Sequence, residues 1–166
     1  MIYNGERGLS DLAETVDLVV EHMAPYIHEY SCIAVRGNSG VLVGSPVSLT
    51  LNKPLVVVRK PNEQHHGGSG IVNLVNIPDG TKGVFLDDFR SSGKTEAIVV
   101  RALAEGRSDA YADPTHRVKV TDCFYYRNAS NTPGNPRSGW TSAKPWAGWE
   151  IPQDHMPFPL MNGKQW

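Results

Sequence analysis

A chain of 166 residues has the length of one domain, enough for a single core and too short for a second module. Lys and Arg total 16 against 17 Asp and Glu, a balance that gives no signal of bulk electrostatic binding to nucleic acid or membrane and leaves room only for local basic patches. Cys32 and Cys123 lie in apolar, strand-like runs, which predicts free thiols in the core. The polar N-terminus and the lack of any apolar run of bilayer length predict a cytoplasmic protein, with no glycan on the Asn128-Ala129-Ser130 sequon.

Ser10 is placed to cap a helix with Asp11 and Glu14 in its first turn and Leu12, Val16, Val19, Val20 and Met23 at helical spacing, ending before Pro25. Tyr30 to Val35 reads as a buried strand that opens into the loop Arg36-Gly37-Asn38-Ser39-Gly40. Val41 to Leu51 fits a helix, with Pro46 best suited to its first turn. Leu55 to Val58 is a second buried strand, followed by Arg59-Lys60-Pro61. The segment 62–70 holds three glycines, two histidines and no apolar residue, and is expected to be a mobile loop. Ile71 to Ile77 is expected to be a strand, with Pro78-Asp79-Gly80 turning the chain. An apolar strand up to Asp87, a helix from Lys94 to Glu105 and a strand from Val118 to Tyr126 complete the series. Strands alternating with helices predict an α/β fold with a mainly parallel twisted sheet and helices on its faces. Beyond Arg127 the chain is rich in proline and carries Trp140, Trp146, Trp149 and Trp166; it is read as an irregular but ordered cap rather than a helix or strand. The expected organisation is a core over 1–127 and a C-terminal hood over 128–166 within the same domain.

The densest chemistry lies in Gly83-Val84-Phe85-Leu86-Asp87-Asp88-Phe89-Arg90-Ser91-Ser92-Gly93-Lys94-Thr95. The apolar run puts two carboxylates at the carboxyl end of a strand, where open α/β sheets bind ligands, and the following helix N-terminus attracts phosphate. Acids for sugar hydroxyls beside amides for a phosphate fit a phosphorylated ribose. Gly93-Lys94-Thr95 looks like the end of a P-loop, but Asp88 stands where that loop needs its first glycine. The plain alternative is a buried strand followed by an acidic cap on the next helix.

The segment resembles the phosphoribosyl pyrophosphate (PRPP) motif of type I phosphoribosyltransferases, in which apolar residues precede Asp-Asp and a Ser/Thr-Gly-x-Thr turn follows. Arg36-Gly37 resembles that family's pyrophosphate loop, although Asn38, Ser39 and Gly40 could occupy the position instead. Arg59-Lys60-Pro61 resembles its second-strand basic element, and the loop over 62–70 then corresponds to a flexible loop that closes over PRPP. The resemblance covers about residues 30–127. It implies that Asp87 and Asp88 bind the ribose hydroxyls directly or through Mg2+, that Arg36 and Lys60 serve the departing pyrophosphate with Gly37 and Arg59 beside them, and that Ser91, Ser92, Gly93, Lys94 and Thr95 hold the 5′-phosphate. Lys94 departs from the small residue usual there and either adds to phosphate binding or points outward. Many 6-oxopurine enzymes of the family have an aspartate where Ser91 stands, and a serine is no general base unaided, which leaves three readings: reliance on electrostatics, likeness to adenine-type members that lack this acid, or lost catalysis.

For the base, the resemblance points to Tyr125, Tyr126 and Arg127 at the strand end, with a sheet-edge aromatic cluster as the equal alternative. Ala143-Lys144-Pro145 and Trp149-Glu150-Ile151-Pro152-Gln153-Asp154, with His155 and Phe158 after them, look like pieces of the hood of xanthine–guanine members. This implies Lys144, Trp149, His155 and Phe158 as base contacts and favours a purine. His65-His66 lack partners at zinc-ligand spacing and are read as solvated loop residues. The resemblance therefore implies an enzyme that transfers phosphoribose from PRPP to a nucleobase, expected to be a purine of the 6-oxo class, releasing pyrophosphate, with Mg2+ and as a homodimer. A non-catalytic PRPP- or nucleotide-binding regulator of the same fold is the alternative, and an interaction protein using the tryptophan-rich tail is a third.

Overall fold

The computed structural model describes residues 9–60, 63, 70–106, 116–129 and 134–144. In chain order these form α1 (Leu9–Met23), β1 (Cys32–Arg36), α2 (Gly37–Leu51), β2 (Leu55–Val58), β3 (Ile71–Val72), β4 (Thr81–Asp87), α3 (Lys94–Glu105), β5 (Val118–Tyr125) and β6 (Trp140–Ser142), with single 3-10 turns at Ile27–Glu29, Leu74–Asn76 and Tyr126–Asn128. The sheet runs in the order β3-β2-β1-β4-β5-β6. β1 pairs in parallel with β2 and with β4, and β4 pairs in parallel with β5. The two outer strands are antiparallel to their neighbours. The α/β class and the mainly parallel sheet are as the alternation predicts.

Every residue of β1 is buried, as befits a central parallel strand covered on both faces. On one face Ile98, Val99, Ala102 and Leu103 of α3 pack with Ala34, Phe85, Cys123 and Tyr125. On the other, Val19 and Met23 of α1 and Val43 and Val47 of α2 pack with Ile33, Val35, Val84, Leu86 and Phe124. Alternate residues of β1 and β4 thus serve opposite cores, which leaves little freedom in register. Burial pushes the Cys32 thiol up to about 12, consistent with a packing role. No helix among the described residues is long and apolar enough to cross a membrane.

Four local expectations need correction. There is no loop at 36–40: β1 continues through Arg36 and α2 begins at once, because Gly37 reverses the chain in a single residue at φ 74°. That early start leaves Pro46 inside α2 instead of in its first turn, with Thr50 Oγ1 donating to the Pro46 carbonyl at 2.8 Å. Only Ile71 and Val72 pair as a strand, since Asn73 turns into the left-handed region at φ 69° and a 3-10 turn follows. Ser10 lies within α1 rather than capping it.

The tail also departs from the expected irregularity. β6 adds Trp140–Ser142 to the edge of β5, in register Asp122 with Ser142, Cys123 with Thr141 and Phe124 with Trp140. Side-chain packing fixes it. The Trp140 ring stacks on Tyr30 at 6.0 Å, meets Tyr26 edge-on at 5.5 Å and lies 5.3 Å from Phe124, and its indole N–H donates to the His22 carbonyl at 3.2 Å. Arg137 lies 3.8 Å over the Tyr26 ring. Two aromatic partners that flank the 3-10 turn after α1, one from β5 and a backbone carbonyl of α1 thus tie the segment to the core.

Candidate active site

The chain turns from one side of β1 to the other between β2 and β4, so the carboxyl ends of β1 and β4 meet at the switch point where open α/β sheets form a crevice. A cavity of about 250 Å³ opens there. Arg36 and Ser39 line it from the end of β1 and the start of α2, Lys60 from beyond β2, and Asp87 and Asp88 from the end of β4. The turn Phe89 to Gly93, Lys94, Thr95 and Glu96 at the start of α3 and Tyr125 of β5 complete the wall.

The two acids differ in environment. Asp87 is 9 % exposed at the last position of β4, while Asp88 is half-buried. Burial is the main cause that moves the Asp87 carboxyl from an ordinary 3.8 up to about 7, the neighbouring Asp88 charge adds to the rise, and the Asp88 amide and Lys60 oppose it. Backbone bonds hold both side chains: the Asp88 N–H donates to Asp87 Oδ1 at 2.9 Å and the Phe89 N–H to Asp88 Oδ1 at 2.9 Å. Opposite them Arg36 is 7 % exposed, and its burial lowers its pKa. Lys60 lies across Gly37, where a Cβ would stand 3.2 Å from its Cε and 3.3 Å from its Nζ. The site therefore sets two cations facing two carboxylates across one small cavity.

The turn after Asp88 ends at Gly93, which takes φ 82° and starts α3 without a side-chain cap of its own. Ser92 Oγ accepts the Lys94 N–H at 3.3 Å, so the first amides of α3 and the hydroxyls of Ser91, Ser92 and Thr95 gather on the cavity wall. An anion is the natural complement of such a wall.

Asp87, Asp88, Arg36, Lys60 and the run Ser91 to Thr95 thus come together, and Ser39 joins them. Gly37 lies beneath Lys60, whereas Arg59 is not part of the lining and its backbone N–H donates to the Gly70 carbonyl at 2.9 Å. Tyr125, not Tyr126, reaches the cavity: Tyr125 ends β5 on the α3 face, while Tyr126 is buried in the apolar cluster with α1 and α2. Arg127 stays near the rim, its guanidinium 5.1 Å over the ring of Phe89 and its N–H donating to the Asp88 carbonyl at 2.9 Å. The Lys144 N–H donates to Glu96 Oε1 at 2.9 Å, which brings this part of the tail beside the cavity wall. Trp149, His155 and Phe158, and the loop over 62–70 apart from Glu63 and Gly70, lie outside the described residues.

Phe89, Arg90 and Glu96 were not foreseen. Phe89 stands 45 % exposed in the cavity lining, unusual for a phenyl ring. Glu96 is 3 % exposed, accepts the Tyr125 O–H at 2.6 Å and pairs with Arg90 Nε at 3.0 Å. Burial, then the bond to Glu96, raises the Tyr125 pKa far above its ordinary value, so it remains a donor at all working pH. An arginine placed between two acids and a glycine turn was the available signal for this network.

Among the described residues no three His, Cys, Asp or Glu side chains gather as a metal cage. Magnesium needs no such cage, since it typically takes one or two carboxylates, several waters and substrate phosphate oxygens. The adjacent, hard oxygen donors of Asp87 and Asp88 fit that ion.

No protein-family model and no curated protein matches the chain. Among solved structures it is similar to adenine phosphoribosyltransferase from Thermoanaerobacter pseudethanolicus, at 16 % identity over 70 % of this chain and 67 % of that one, with a TM-score of 0.48. It is also similar to orotate phosphoribosyltransferase from Aeropyrum pernix, at 23 % identity over 67 % and 56 %, TM-score 0.47. A third is purine phosphoribosyltransferase from Pyrococcus horikoshii, at 16 % identity over 72 % and 73 %, TM-score 0.47. The chain thus spans between about half and three quarters of the length of these proteins. Identities this low leave the reaction to be read from the site itself.

Proposed function

We propose that this chain is a type I phosphoribosyltransferase, transferring phosphoribose from PRPP to a nucleobase of the 6-oxopurine class and releasing pyrophosphate. The observation that carries the reading is the convergence of Asp87, Asp88, Arg36, Lys60 and the Ser91 to Thr95 turn on one cavity at the switch point. The turn would hold the 5′-phosphate through helix amides and hydroxyls. Asp87 and Asp88 would hold the ribose hydroxyls and a magnesium ion, which when bound supplies charge neutralisation for pyrophosphate oxygens. Arg36 and Lys60 would face the pyrophosphate, whose negative charge grows as the anomeric C–O bond breaks, while the base nitrogen forms the new C–N bond and releases its proton to water or to the departing pyrophosphate. The exposed ring of Phe89, backed by Arg127, offers a flat face for a purine, and Lys144 and Arg127 offer donors to an exocyclic oxygen.

The direct test is pyrophosphate release from PRPP and Mg2+ with guanine, xanthine, hypoxanthine, adenine, orotate and uracil supplied singly. Turnover with an oxopurine is the expected result. PRPP binding without turnover on any base would favour the non-catalytic alternative, for which the serine at position 91 is the specific observation; no PRPP binding would reject both.

Gly37→Ala should weaken pyrophosphate binding in the presence of Mg2+, as titration calorimetry would record. The new methyl would require an L residue at φ 74° and would press on the Lys60 side chain. A loss of about tenfold, roughly 1.4 kcal/mol, is expected. Unchanged affinity would remove Lys60 from the pyrophosphate site.

A further inference from the structure

We propose that Arg90 is a phosphate-binding residue of the turn and that Glu96 is its positioning residue, a role that rests on the phosphoribosyl reading of the cavity. The pair closes the turn upon itself: Arg90 precedes the Ser91 to Gly93 bend, Glu96 lies in the first turn of α3, and Nε meets Oε2 at 3.0 Å across it. Arg90 lines the cavity and its Nη2 lies 2.7 Å from where a Cβ on Gly93 would stand, so the guanidinium lies against the face of the turn that the glycine leaves open. A guanidinium has five N–H donors, and engaging Nε with Glu96 leaves its Nη groups to meet an anion.

Glu96 is suited to hold rather than to react. Its side chain is 3 % exposed and three groups from separate parts of the chain claim its oxygens: Arg90 Nε and the Tyr125 O–H at Oε2, and the Lys144 N–H at Oε1. A buried carboxylate beside a phosphate site would repel the ligand if left bare. With Arg90 between them the charge is offset, and the same carboxylate fixes the arginine's rotamer before the ligand arrives. That arrangement spares the ordering cost of a long side chain on binding. Because Glu96 also holds the Lys144 amide, the C-terminal segment and the phosphate turn share one anchor.

Titration calorimetry of the full chain with ribose 5-phosphate, and with PRPP plus Mg2+, tests this in the wild type, Arg90→Gln, Glu96→Gln and the double variant. Arg90→Gln should weaken both ligands by about tenfold to a hundredfold, the loss of a charge-assisted bond to phosphate. Glu96→Gln should weaken them by a smaller factor in the wild type and by nothing further in the Arg90→Gln background, since it acts through Arg90. A carboxylate that only supported the fold would lower affinity equally in both backgrounds. Should Arg90→Gln fail to fold, Arg90→Lys serves in its place: one ammonium cannot bond Glu96 and reach the phosphate with the same fixed fork, so the loss should persist. Undiminished binding by the Arg90 variant, or equal losses from Glu96→Gln in both backgrounds, would overturn the roles given to this pair and leave the phosphoribosyl site standing. A wild-type chain that binds neither ligand overturns the proposed function, and these roles with it.

Discussion

Asp87→Asn is expected to raise the melting temperature of the unliganded protein at pH 8 while removing the stabilisation that PRPP and Mg2+ give the wild type. Burial is the main cause that pushes the folded Asp87 carboxyl up from an ordinary 3.8 to about 7. Below about pH 4 both folded and unfolded chains carry the proton, and the group costs folding nothing. As pH rises, the unfolded chain releases the proton first, so stability falls across pH 4 to 7 and levels off once the folded carboxyl ionises. The full penalty is on the order of 2–4 kcal/mol above that window. Asparagine keeps an oxygen to accept the Asp88 N–H and escapes the penalty, so the variant's advantage should vanish below pH 4. Thermal melts at pH 3.5, 5.5 and 8, with and without PRPP and Mg2+, provide the check. A variant less stable than the wild type at pH 8 would mean that the carboxylate is held by favourable contacts, and retained ligand stabilisation would remove Asp87 from the site.

Trp140→Ala should destabilise the fold by about 3 kcal/mol, at the low end for loss of a packed tryptophan because the ring is only partly buried. The indole bridges Tyr26, Tyr30 and Phe124 and bonds the His22 carbonyl, so its removal loosens both β6 and the contact of the tail with α1. Chemical denaturation followed by far-UV circular dichroism measures the change. A difference under about 0.5 kcal/mol, the size of an ordinary surface substitution, would mean that the segment adds nothing to the core.

Local patterns made β4, its acids and α3 readable: an unbroken apolar run, Asp87-Asp88, and Gly93 before Lys94 define a strand, its end and a helix start within 25 residues. β2 and the limits of α3 were equally plain. What escaped depends on contacts between distant parts of the chain. Nothing local in Trp140-Thr141-Ser142 announces a strand, because its partner is the edge of β5 and its anchor lies in α1. Arg36 to Gly40 reads as a loop by composition, yet one glycine at positive φ makes the whole turn. The Arg90 and Glu96 pair spans six positions, a separation that meets across a bent turn and not along a helix. For the base, strand alternation assigns Tyr125 and Tyr126 to opposite sides, and only the position of α3 tells which side holds the cavity.

The short outer strands have a consequence for association between chains. A parallel sheet ended by a long bare strand would offer a row of unpaired amides and carbonyls on which another copy could grow. Here β3 contributes two residues and β6 three, and each runs against its neighbour. An incoming strand would find a ladder too short to hold it, and on the β6 side the exposed Thr141 and Ser142 favour water. Among the described residues the sheet thus offers little edge on which another copy could extend it.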